Sequence, residues 1–570
     1  MRDKGDYAMT AWASIRRLLA AGTLAFAAFA IPLPASGAPE PRPVRPSKPT
    51  PTQLRELAEK AEKTGDWEAA FNNYCLLFVA DRSALDVREK LNTALRHTQQ
   101  LRRHRDPAFQ QFVTGMPLDG GLDLLAEVFQ KLPGMYADRD KATAQNLWAH
   151  AIRELDRAFG SPAFKQAFLD NPRSDKVDQF RAQLREHWAR RPIADHKEAR
   201  SGMRRLIAVA QDHFTLKAPA ALAVEAASGA CSGLDEYTVF LTPATGTEAN
   251  AVPDLAAAGL YLGAIHDAVV IEGVTPNSWF ALTYPHVRRG DRVVRANNRT
   301  IDPVTLPAVA GALRAPIEGA HHLDLRGAED DAKIQVRIPV TIPSVYGTRM
   351  LPDKPVGYTR IGHFQASTPR DLDEALNALK TAGARAAVID LRGNHGGSFL
   401  AAVETARRLL PTGLIVTTQG QVGEVANRAF SSVTGMAAHD VPIVLLIDAE
   451  TASAAEVLAA ALKDNNRATL VGVPSFGKGS VQYPLRLVTL DDVEPGSGKS
   501  GKAPKAGTVR VTIARLIAPT SGPITGTGVG PHLVEADPVL QLELAAEKAE
   551  ELGHMPPGTP LPSPGAPMSP

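Results

Sequence analysis

The chain has 570 residues, of which 44% are hydrophobic and 22% are charged, and its formal net charge at pH 7 is +2. This length exceeds one ordinary domain, and the composition is typical of a soluble globular protein. The near-neutral charge gives no reason to expect nucleic acid as a partner. The two cysteines, Cys75 and Cys231, lie in different predicted domains, so we expect no disulfide framework.

The amino terminus predicts export. Arg16 and Arg17 precede an apolar stretch over residues 18–31, which is shorter than the roughly 20 residues that span a membrane comfortably. Small residues follow and offer a cleavage site. We therefore predict a signal peptide over residues 1–38, with an uncleaved anchor as the alternative, and a proline-rich linker over residues 39–51. The expected location is the periplasm or cell envelope, or the outside of the cell.

Residues 52–215 follow a helical pattern and carry no recognisable chemistry. Five of them have the spacing of one tetratricopeptide-like helical hairpin: Ala58, Gly65, Trp67, Ala70 and Tyr74. No second copy follows, and arrays of this kind need several. We predict a plain helical domain, with a docking surface for a partner or for the substrate as the functional alternative. A connecting segment over residues 216–252 follows it.

Residues 253–343 predict a β-rich domain. Apolar runs over residues 269–271 and 293–294 predict short strands. The run Arg289-Gly-Asp-Arg-Val-Val294, followed by two asparagines, resembles the strand and turn of a PDZ domain. Such a domain binds an extended peptide as an added strand and holds its terminal carboxylate with loop amides. The resemblance implies peptide binding by Gly259, Leu260, Tyr261 and Leu262.

This PDZ-like segment departs from the usual pattern at two places. Tyr261 replaces a small residue of the carboxylate loop, and Trp279-Phe280 replace the usual Pro-Ala. The preference for particular tails could therefore differ. As the alternative, the segment only braces its neighbour.

Residues 344–535 alternate between strands and helices. A helix is predicted to open at Thr368 with a cap and a proline in its first turn, and its apolar face contains Leu372, Ala375, Leu376 and Leu379. Further helices are predicted over residues 399–410 and 454–462. Apolar runs predict buried strands over residues 386–391, 414–418, 441–447 and 468–472. Strands that alternate with helices imply a sheet covered by helices.

A serine and a lysine stand 478 − 453 = 25 residues apart in this region. Ser453 lies where a predicted strand turns into a helix, and Lys478 lies between two glycines. A seryl hydroxyl becomes a good nucleophile when a neighbouring group takes its proton, and a lysine can do so where burial disfavours its charged form. The first amides of a helix have no partner within it, so the N–H of Ala454 could meet an oxyanion beside Ser453. The pattern predicts a serine hydrolase with a lysine base.

The block from Thr451 to Gln482 resembles the active-site block of the carboxyl-terminal processing (tail-specific) proteases. Their pattern is S-A-S-A-S-E, then an aspartate eleven residues after the nucleophile, then F-G-K-G-x-V-Q. The resemblance implies that Ser453 is the nucleophile, Lys478 the general base, Gln482 the residue that orients the lysine, and Asp464 an accessory carboxylate. It covers roughly residues 230–535.

A second block, residues 387–397, is similar to the family's D-L-R-x-N-P-G-G turn. The resemblance implies that the amides of Gly396 and Gly397 help to form the oxyanion hole. His395 replaces the proline of that turn, which removes a fixed φ angle. Asp464 has an alternative in which it sits on a solvated helix end or pairs with Arg467.

These observations predict a multidomain α+β protein with an N-terminal helical domain, a PDZ-like β-rich domain and an α/β serine protease domain with a Ser/Lys active site. Residues 496–507 are expected to form a flexible insertion, and residues 536–570 a C-terminal helix with a disordered proline-rich tail. The predicted function is a serine endopeptidase that cleaves unfolded or tail-exposed proteins near their C-terminal tails, without a metal or another cofactor. Two other classes are a catalytically silent peptide-binding scaffold and a serine esterase or amidase for small molecules.

Overall fold

The structure is a computed structural model, and it describes residues 49–80, 84–242, 255, 258–265, 268–275, 277–301, 305–313, 315–488 and 507–554. The predicted signal peptide, most of the linker and of the insertion, and the proline-rich tail lie outside the described residues. Across the described ranges, none of the helices combines the length and the apolar character needed to cross a membrane. The fold mixes helices with β-sheets, as predicted.

The first part of the chain is helical. Its helices are α1 Pro51–Thr64, α2 Trp67–Ala80, α3 Leu85–Arg105, α4 Pro107–Thr114, α5 Leu118–Met135, α6 Ala144–Gly160, α7 Pro162–Phe168, α8 Ser174–Glu186, α9 His196–His213 and α10 Ala220–Ser232. Two short strands, β1 Leu169–Asp170 and β2 Thr215–Leu216, pair in antiparallel fashion. The helical pattern of the sequence is thus confirmed, and it continues through α10.

The predicted hairpin forms from α1 and α2. Gly65 ends α1 with φ 75°, a left-handed value that glycine adopts without a steric penalty. Ala58, Ala70 and Tyr74 are all buried in one small apolar cluster, where α3 also contributes side chains. The spacing in the sequence therefore reports real packing between these helices.

An antiparallel sheet follows the helices. Its elements are strand β3 Val239–Leu241 before it, then β4 Leu260–Ile265, β5 Ala268–Val274, α11 Trp279–Thr283, β6 Arg292–Ala296, β7 Arg299–Thr300, α12 Leu306–Leu313, β8 Ala320–Arg326 and β9 Lys333–Pro339. The strand order is β4-β5-β6-β8-β9, with β7 paired to β6. The predicted strands near residues 270 and 293 are confirmed as β5 and β6.

The rest of the chain alternates strands and helices. In order, the elements are β10 Val345–Met350, β11 Val356–Ile361, α13 Thr368–Thr381, β12 Ala386–Asp390, α14 Phe399–Leu409, β13 Leu414–Gly420, β14 Ala429–Ser431, β15 Ile443–Ile447, α15 Ala454–Asp464, β16 Ala468–Gly472, β17 Ser480–Arg486, β18 Thr508–Ala518, β19 Gly522–Pro523, β20 Leu533–Val534 and α16 Pro538–Gly553. The strands and helices predicted between Thr368 and Gly472 all form, with ends that differ by at most two residues.

The main sheet has the order β10-β11-β12-β15-β16-β20, and every pairing from β11 to β20 is parallel. Strands β12 and β15 are buried along their whole length, as expected for parallel strands covered on both faces. Side chains of α13, α14 and α15 pack on one face of the sheet, and those of α16 pack on the other. The predicted sheet covered by helices is therefore confirmed.

A second sheet was not predicted. It has the order β14-β13-β18-β17, and β3 and β19 also pair with β18. Strand β3 comes from the connecting segment, and it pairs with residues 508–510 of β18. Strand β17 also pairs with β18, and it begins at Ser480, two residues after Lys478. The connecting segment therefore belongs to the same sheet as the strand that follows the candidate lysine.

Candidate active site

Ser453 lies just beyond the carboxyl end of a central parallel strand, β15, and directly before α15. In open parallel sheets this edge is where ligands bind. Ser453 has φ 58° and ψ −119°, a backbone conformation that a non-glycine residue rarely adopts. Strain of this kind persists only where the surrounding structure enforces it, and it clusters at functional sites. The side chain is only partly exposed.

Lys478 lies in the loop between β16 and β17, with glycines on both sides. A Cβ on Gly477 would lie 3.1 Å from backbone atoms of Gly526, and one on Gly479 would clash with Thr525, so both positions require glycine. Burial above all, together with the charge of nearby Arg510, lowers the pKa of Lys478 from 10.5 to about 8, and the Glu456 carboxylate opposes this shift. The sequence prediction of a lysine with a lowered pKa agrees with this geometry.

A buried carboxylate connects the serine to the lysine. Glu456 is fully buried in the first turn of α15, and its Oε2 accepts hydrogen bonds from the backbone N–H of Ser453 and of Lys478, both at 2.8 Å. Its Oε1 accepts from the Ser475 hydroxyl at 2.5 Å and from the Gly477 N–H at 2.7 Å. One carboxylate therefore holds the backbone of both candidate catalytic residues.

Glu456 occupies the last position of the family pattern S-A-S-A-S-E, but the sequence alone assigned no role to it. The available signal was the serine followed three residues later by glutamate at a helix start, which is the sequence of a capping box. The bonds to Gly477 and Lys478 could not be found from that signal, because they join residues more than 20 positions apart. Burial raises the pKa of Glu456, whereas its four hydrogen bonds lower it, and the net direction is upward.

The backbones of the two candidate catalytic residues meet at Glu456, but within the described residues their side chains form no hydrogen bond with each other. Lys478 Nζ lies over the ring of Tyr237, 5.4 Å from the ring centroid. Within the described part of the chain, no hydrogen bond joins Lys478 Nζ to Ser453 Oγ. In structures without substrate such catalytic contacts are often long and tighten when substrate binds. The four-carbon stem of lysine allows that movement.

The predicted oxyanion amides differ in their availability. The Gly396 N–H already donates to Asn394 Oδ1 at 2.8 Å, so the structure gives this amide another acceptor. Gly396 instead provides space, since a Cβ there would lie 2.8 Å from both Ala452 O and Ser453 Cβ. Among the described residues, the N–H groups of Gly397 and Ala454 have no acceptor. These two amides are the ones that could meet an oxyanion beside Ser453.

A buried ionic network lies beneath the glycine turn. Asp390 is fully buried; burial raises its pKa, but Arg360 and Arg392 outweigh this effect and lower it to about 2. Arg392 also donates to Pro538 O at 2.7 Å and to Gln541 Oε1 at 3.1 Å, which ties the turn to α16. The network holds the start of the glycine turn in place.

Asp464 and Gln482 do not contact the candidate catalytic pair. Asp464 lies at the far end of α15, about 16 Å from Ser453 at 1.5 Å per residue. Its carboxylate accepts from the N–H groups of Thr520 and Ser521 and from the Ser521 hydroxyl, so it anchors a turn. Gln482 Nε2 donates to Ser480 Oγ at 2.7 Å, and within the described residues it makes no hydrogen bond to Lys478.

The two alternatives given for Asp464 have different outcomes. Asp464 does sit at a helix end, but Arg467 does not pair with it. The Arg467 guanidinium donates to three backbone carbonyl groups, those of Leu409, His439 and Val441.

The residues predicted to bind a peptide lie directly before β4 and at its start. Gly259 has φ 91°, and Leu260 is buried.

The peptidase family S41 profile matches residues 355–534, which include the serine, the lysine loop and the glycine turn. The chain is 26% identical over 363 residues to the carboxyl-terminal-processing protease of Synechocystis sp., covering 63% of this chain and 75% of that one. It is 28% identical over 414 residues to the chloroplastic C-terminal processing peptidase of Tetradesmus obliquus, covering 69% and 77%. Among solved structures, the photosystem II D1 C-terminal processing protease aligns with a TM-score of 0.38 and 22% identity, covering 76% of this chain and 98% of that chain.

These matches define the class of the protein, which is a serine-type peptidase. Within that class, residues 355–534 match peptidase family S41, and the chain is similar to the carboxyl-terminal processing proteases.

Proposed function

We propose that the protein is an endopeptidase that cleaves proteins near their C-terminal tails, with Ser453 as nucleophile and Lys478 as general base. The observation that carries the proposal is the shared acceptor: the N–H groups of both residues bond to the same carboxylate oxygen of buried Glu456. This arrangement sets the separation of the two backbones, so that the side chains can meet without a backbone movement.

The proposed reaction begins with the neutral amine of Lys478, which takes the proton from Ser453 Oγ as the oxygen attacks the scissile carbonyl carbon. The resulting oxyanion accepts hydrogen bonds from the N–H groups of Gly397 and Ala454. When the carbon–nitrogen bond breaks, the Lys478 ammonium gives its proton to the leaving amine. Water then attacks the acyl carbon while the neutral lysine takes its proton. The bond between that carbon and Ser453 Oγ breaks, the Lys478 ammonium returns the proton to Oγ, and the carboxylic acid product leaves.

Gln482 and Asp464 have supporting roles in this proposal. Gln482 buttresses Ser480, the second residue after the lysine. Asp464 stabilises the turn after β18 rather than the reacting atoms. A lysine-orienting role for Gln482 requires its amide to leave Ser480, which a Gln482→Leu variant would expose as a loss of activity larger than that of Ser480→Ala.

We further propose that the sheet from β4 to β9 is a PDZ-like domain that selects tails. Strand β4 is at one end of the strand order, and among the described strands it pairs with β5 alone, so its other edge could accept a peptide strand. Helix α12 lies against β4, and Leu260 shares an apolar cluster with Val309 and Leu313 of that helix. An apolar groove between β4 and α12 would favour substrates with apolar last residues.

The remaining proposals concern place and partners. Export to the periplasm or cell envelope rests on the apolar amino-terminal stretch and on the processing role of the relatives. A partner on the helical region would dock outside the apolar clusters of α1–α10. Fusion of residues 1–38 to a reporter protein, followed by cell fractionation, tests the first proposal.

A covalent serine-directed probe tests the catalytic assignment. We expect the probe to label the purified wild-type protein and to fail with Ser453→Ala, while an unfolded protein substrate is cleaved by the wild type only. Lys478→Ala and Lys478→Arg should be as inactive as Ser453→Ala, and the double variant hardly worse, because nucleophile and base act as one unit. Turnover by Ser453→Ala, or rapid turnover of small esters without peptide cleavage, would contradict the proposal.

Matched substrates test tail selection. Two unfolded proteins that differ only in an apolar or a charged, amidated C-terminus should be cleaved at different rates by the intact enzyme, the apolar tail faster. Leu262→Asp should abolish that difference. Leu282→Asp is the control, because Leu282 is exposed and lies outside β4. Equal rates for both substrates with the intact enzyme would reduce the segment to a structural brace.

A further inference from the structure

A tyrosine from the connecting segment reaches the candidate catalytic lysine. Tyr237 lies between α10 and β3, and only 5% of its surface is exposed. Its ring packs in one apolar cluster with Ala452 and Phe476. Ala452 directly precedes the nucleophile, and Phe476 lies two residues before the lysine, so the ring touches both candidate catalytic segments.

We propose that Tyr237 is a positioning residue, whose ring covers one side of the ε-amino group of Lys478 and orients it toward Ser453. The inference rests on the proposed Ser/Lys mechanism and extends it to a residue outside the S41 match, which begins at residue 355. The ring face lies below Lys478 Nζ at 5.4 Å from the centroid, within the range of a cation–π contact. The ring therefore contacts the amine in its charged state as well as excluding water from it.

Hydrogen bonds fix the backbone on which the Tyr237 ring is carried. Asp235 Oδ1 accepts from the N–H groups of Tyr237 and Thr238, at 2.9 and 2.7 Å. Asp235 Oδ2 accepts from the Tyr136 hydroxyl of α5 at 3.1 Å. The Arg510 guanidinium donates to the Tyr237 carbonyl oxygen at 3.3 Å. The position of the ring is thus set from the helical region and from β18 together.

The charges around the amine come from every element that surrounds it. Glu456 of α15 favours the ammonium form, and Arg510 of β18 disfavours it. On the connecting segment, Asp235 is occupied by its own hydrogen bonds, and Glu236 is paired with Arg88 of α3 at 3.0 Å. Burial raises the pKa of the Tyr237 phenol well above 10, so the ring stays neutral and does not act as a rival base.

Removing the ring should therefore change how the lysine titrates. Alanine at position 237 admits water to the amine and also removes the cation–π contact, and these two changes have opposite effects on the pKa of Lys478. Because burial is the largest cause of the lowered pKa, we expect the pKa to move upward from about 8. Each unit of upward shift lowers the neutral amine at pH 7 about tenfold. Phenylalanine keeps the ring and should keep the wild-type titration.

The experiment is the pH profile of kcat/KM and kcat on a peptide substrate with the full-length chain. For Tyr237→Ala we expect the acidic limb to move up by at least one pH unit, with a loss of tenfold or more at pH 7, and for Tyr237→Phe no change. Tyr237→Leu keeps most of the buried volume without the aromatic face, and it should lose about tenfold in kcat on the alkaline plateau, where all the lysine is neutral. Tyr74→Ala, a buried tyrosine of α2, controls for general destabilisation and should leave the limb in place.

Two outcomes would overturn the inference. One is a folded Tyr237→Ala protein with the wild-type acidic limb. The other, which also covers an alanine variant that does not fold, is a Tyr237→Leu protein with the wild-type plateau. If instead Lys478→Ala kept the activity and the limb, the proposed Ser/Lys mechanism itself would fail, so the two failures are distinguishable.

Discussion

Replacing Glu456 by glutamine removes one acceptor oxygen from the carboxylate that joins the two candidate catalytic backbones. Four donors meet the carboxylate, two at each oxygen. A glutamine amide accepts at one oxygen only, and its NH₂ group faces the other pair of donors. In one orientation the NH₂ group takes the place of Oε1 and faces the Ser475 hydroxyl and the Gly477 N–H. The hydroxyl can rotate and accept a hydrogen bond from the NH₂ group, but the Gly477 N–H has lost its acceptor.

The size of the effect follows from that count. At least one buried N–H loses its partner, which costs about 1–3 kcal/mol of unfolding free energy. If the amide adopts the opposite orientation, the N–H groups of both Ser453 and Lys478 lose their partner and the cost is larger. A displacement of either backbone by about 1 Å would lower kcat/KM by roughly a hundredfold.

The assay compares Glu456→Gln with Asp464→Asn, a matched carboxylate at the other end of α15. Asp464 also accepts several hydrogen bonds, but its bonds are exposed and serve a distant turn, so water can replace them. We expect lower urea midpoints for both variants, more so for Glu456→Gln, and a loss of kcat/KM only for Glu456→Gln. A Glu456→Gln protein with wild-type stability and turnover would refute the reasoning.

Two further predictions concern the lysine and the glycine turn. With the pKa of Lys478 at about 8, roughly one enzyme molecule in eleven has a neutral lysine at pH 7, about 300 times the fraction for a free lysine with a pKa of 10.5. We therefore expect kcat/KM to rise about tenfold per pH unit up to pH 8 and then to level off. A rate that is flat from pH 5 to 9 would contradict this prediction. Gly396→Ala should abolish cleavage and lower the melting temperature, because its Cβ would lie 2.8 Å from Ala452 O. Gly383→Ala is the control: Gly383 has φ +92° and open space, so it should lose stability but keep activity.

Much of the protease region could be predicted from sequence, because its strands and helices are indicated by patterns of neighbouring residues. Buried parallel strands such as β12 and β15 are short apolar runs, and the helices between them carry their own apolar faces. Ser453 and Lys478 were found by their spacing and their glycine neighbours. Their environments, a strand-to-helix corner and a glycine-flanked loop, are properties of consecutive residues.

The tertiary structure decided what joins residues that are distant along the chain. Strand β3 pairs with β18 although more than 260 residues separate them in the chain, and the sequence of neither strand indicates this pairing. Likewise Glu456 reaches Gly477 and Lys478, Tyr237 reaches Lys478, and the Gly396 amide turns to Asn394 instead of an oxyanion. Residue type and spacing determined which groups could do chemistry, because nucleophile, base and turn glycines are local requirements. Only the folded chain determined which acceptor each amide meets and which ring covers the lysine, because packing between elements sets those distances.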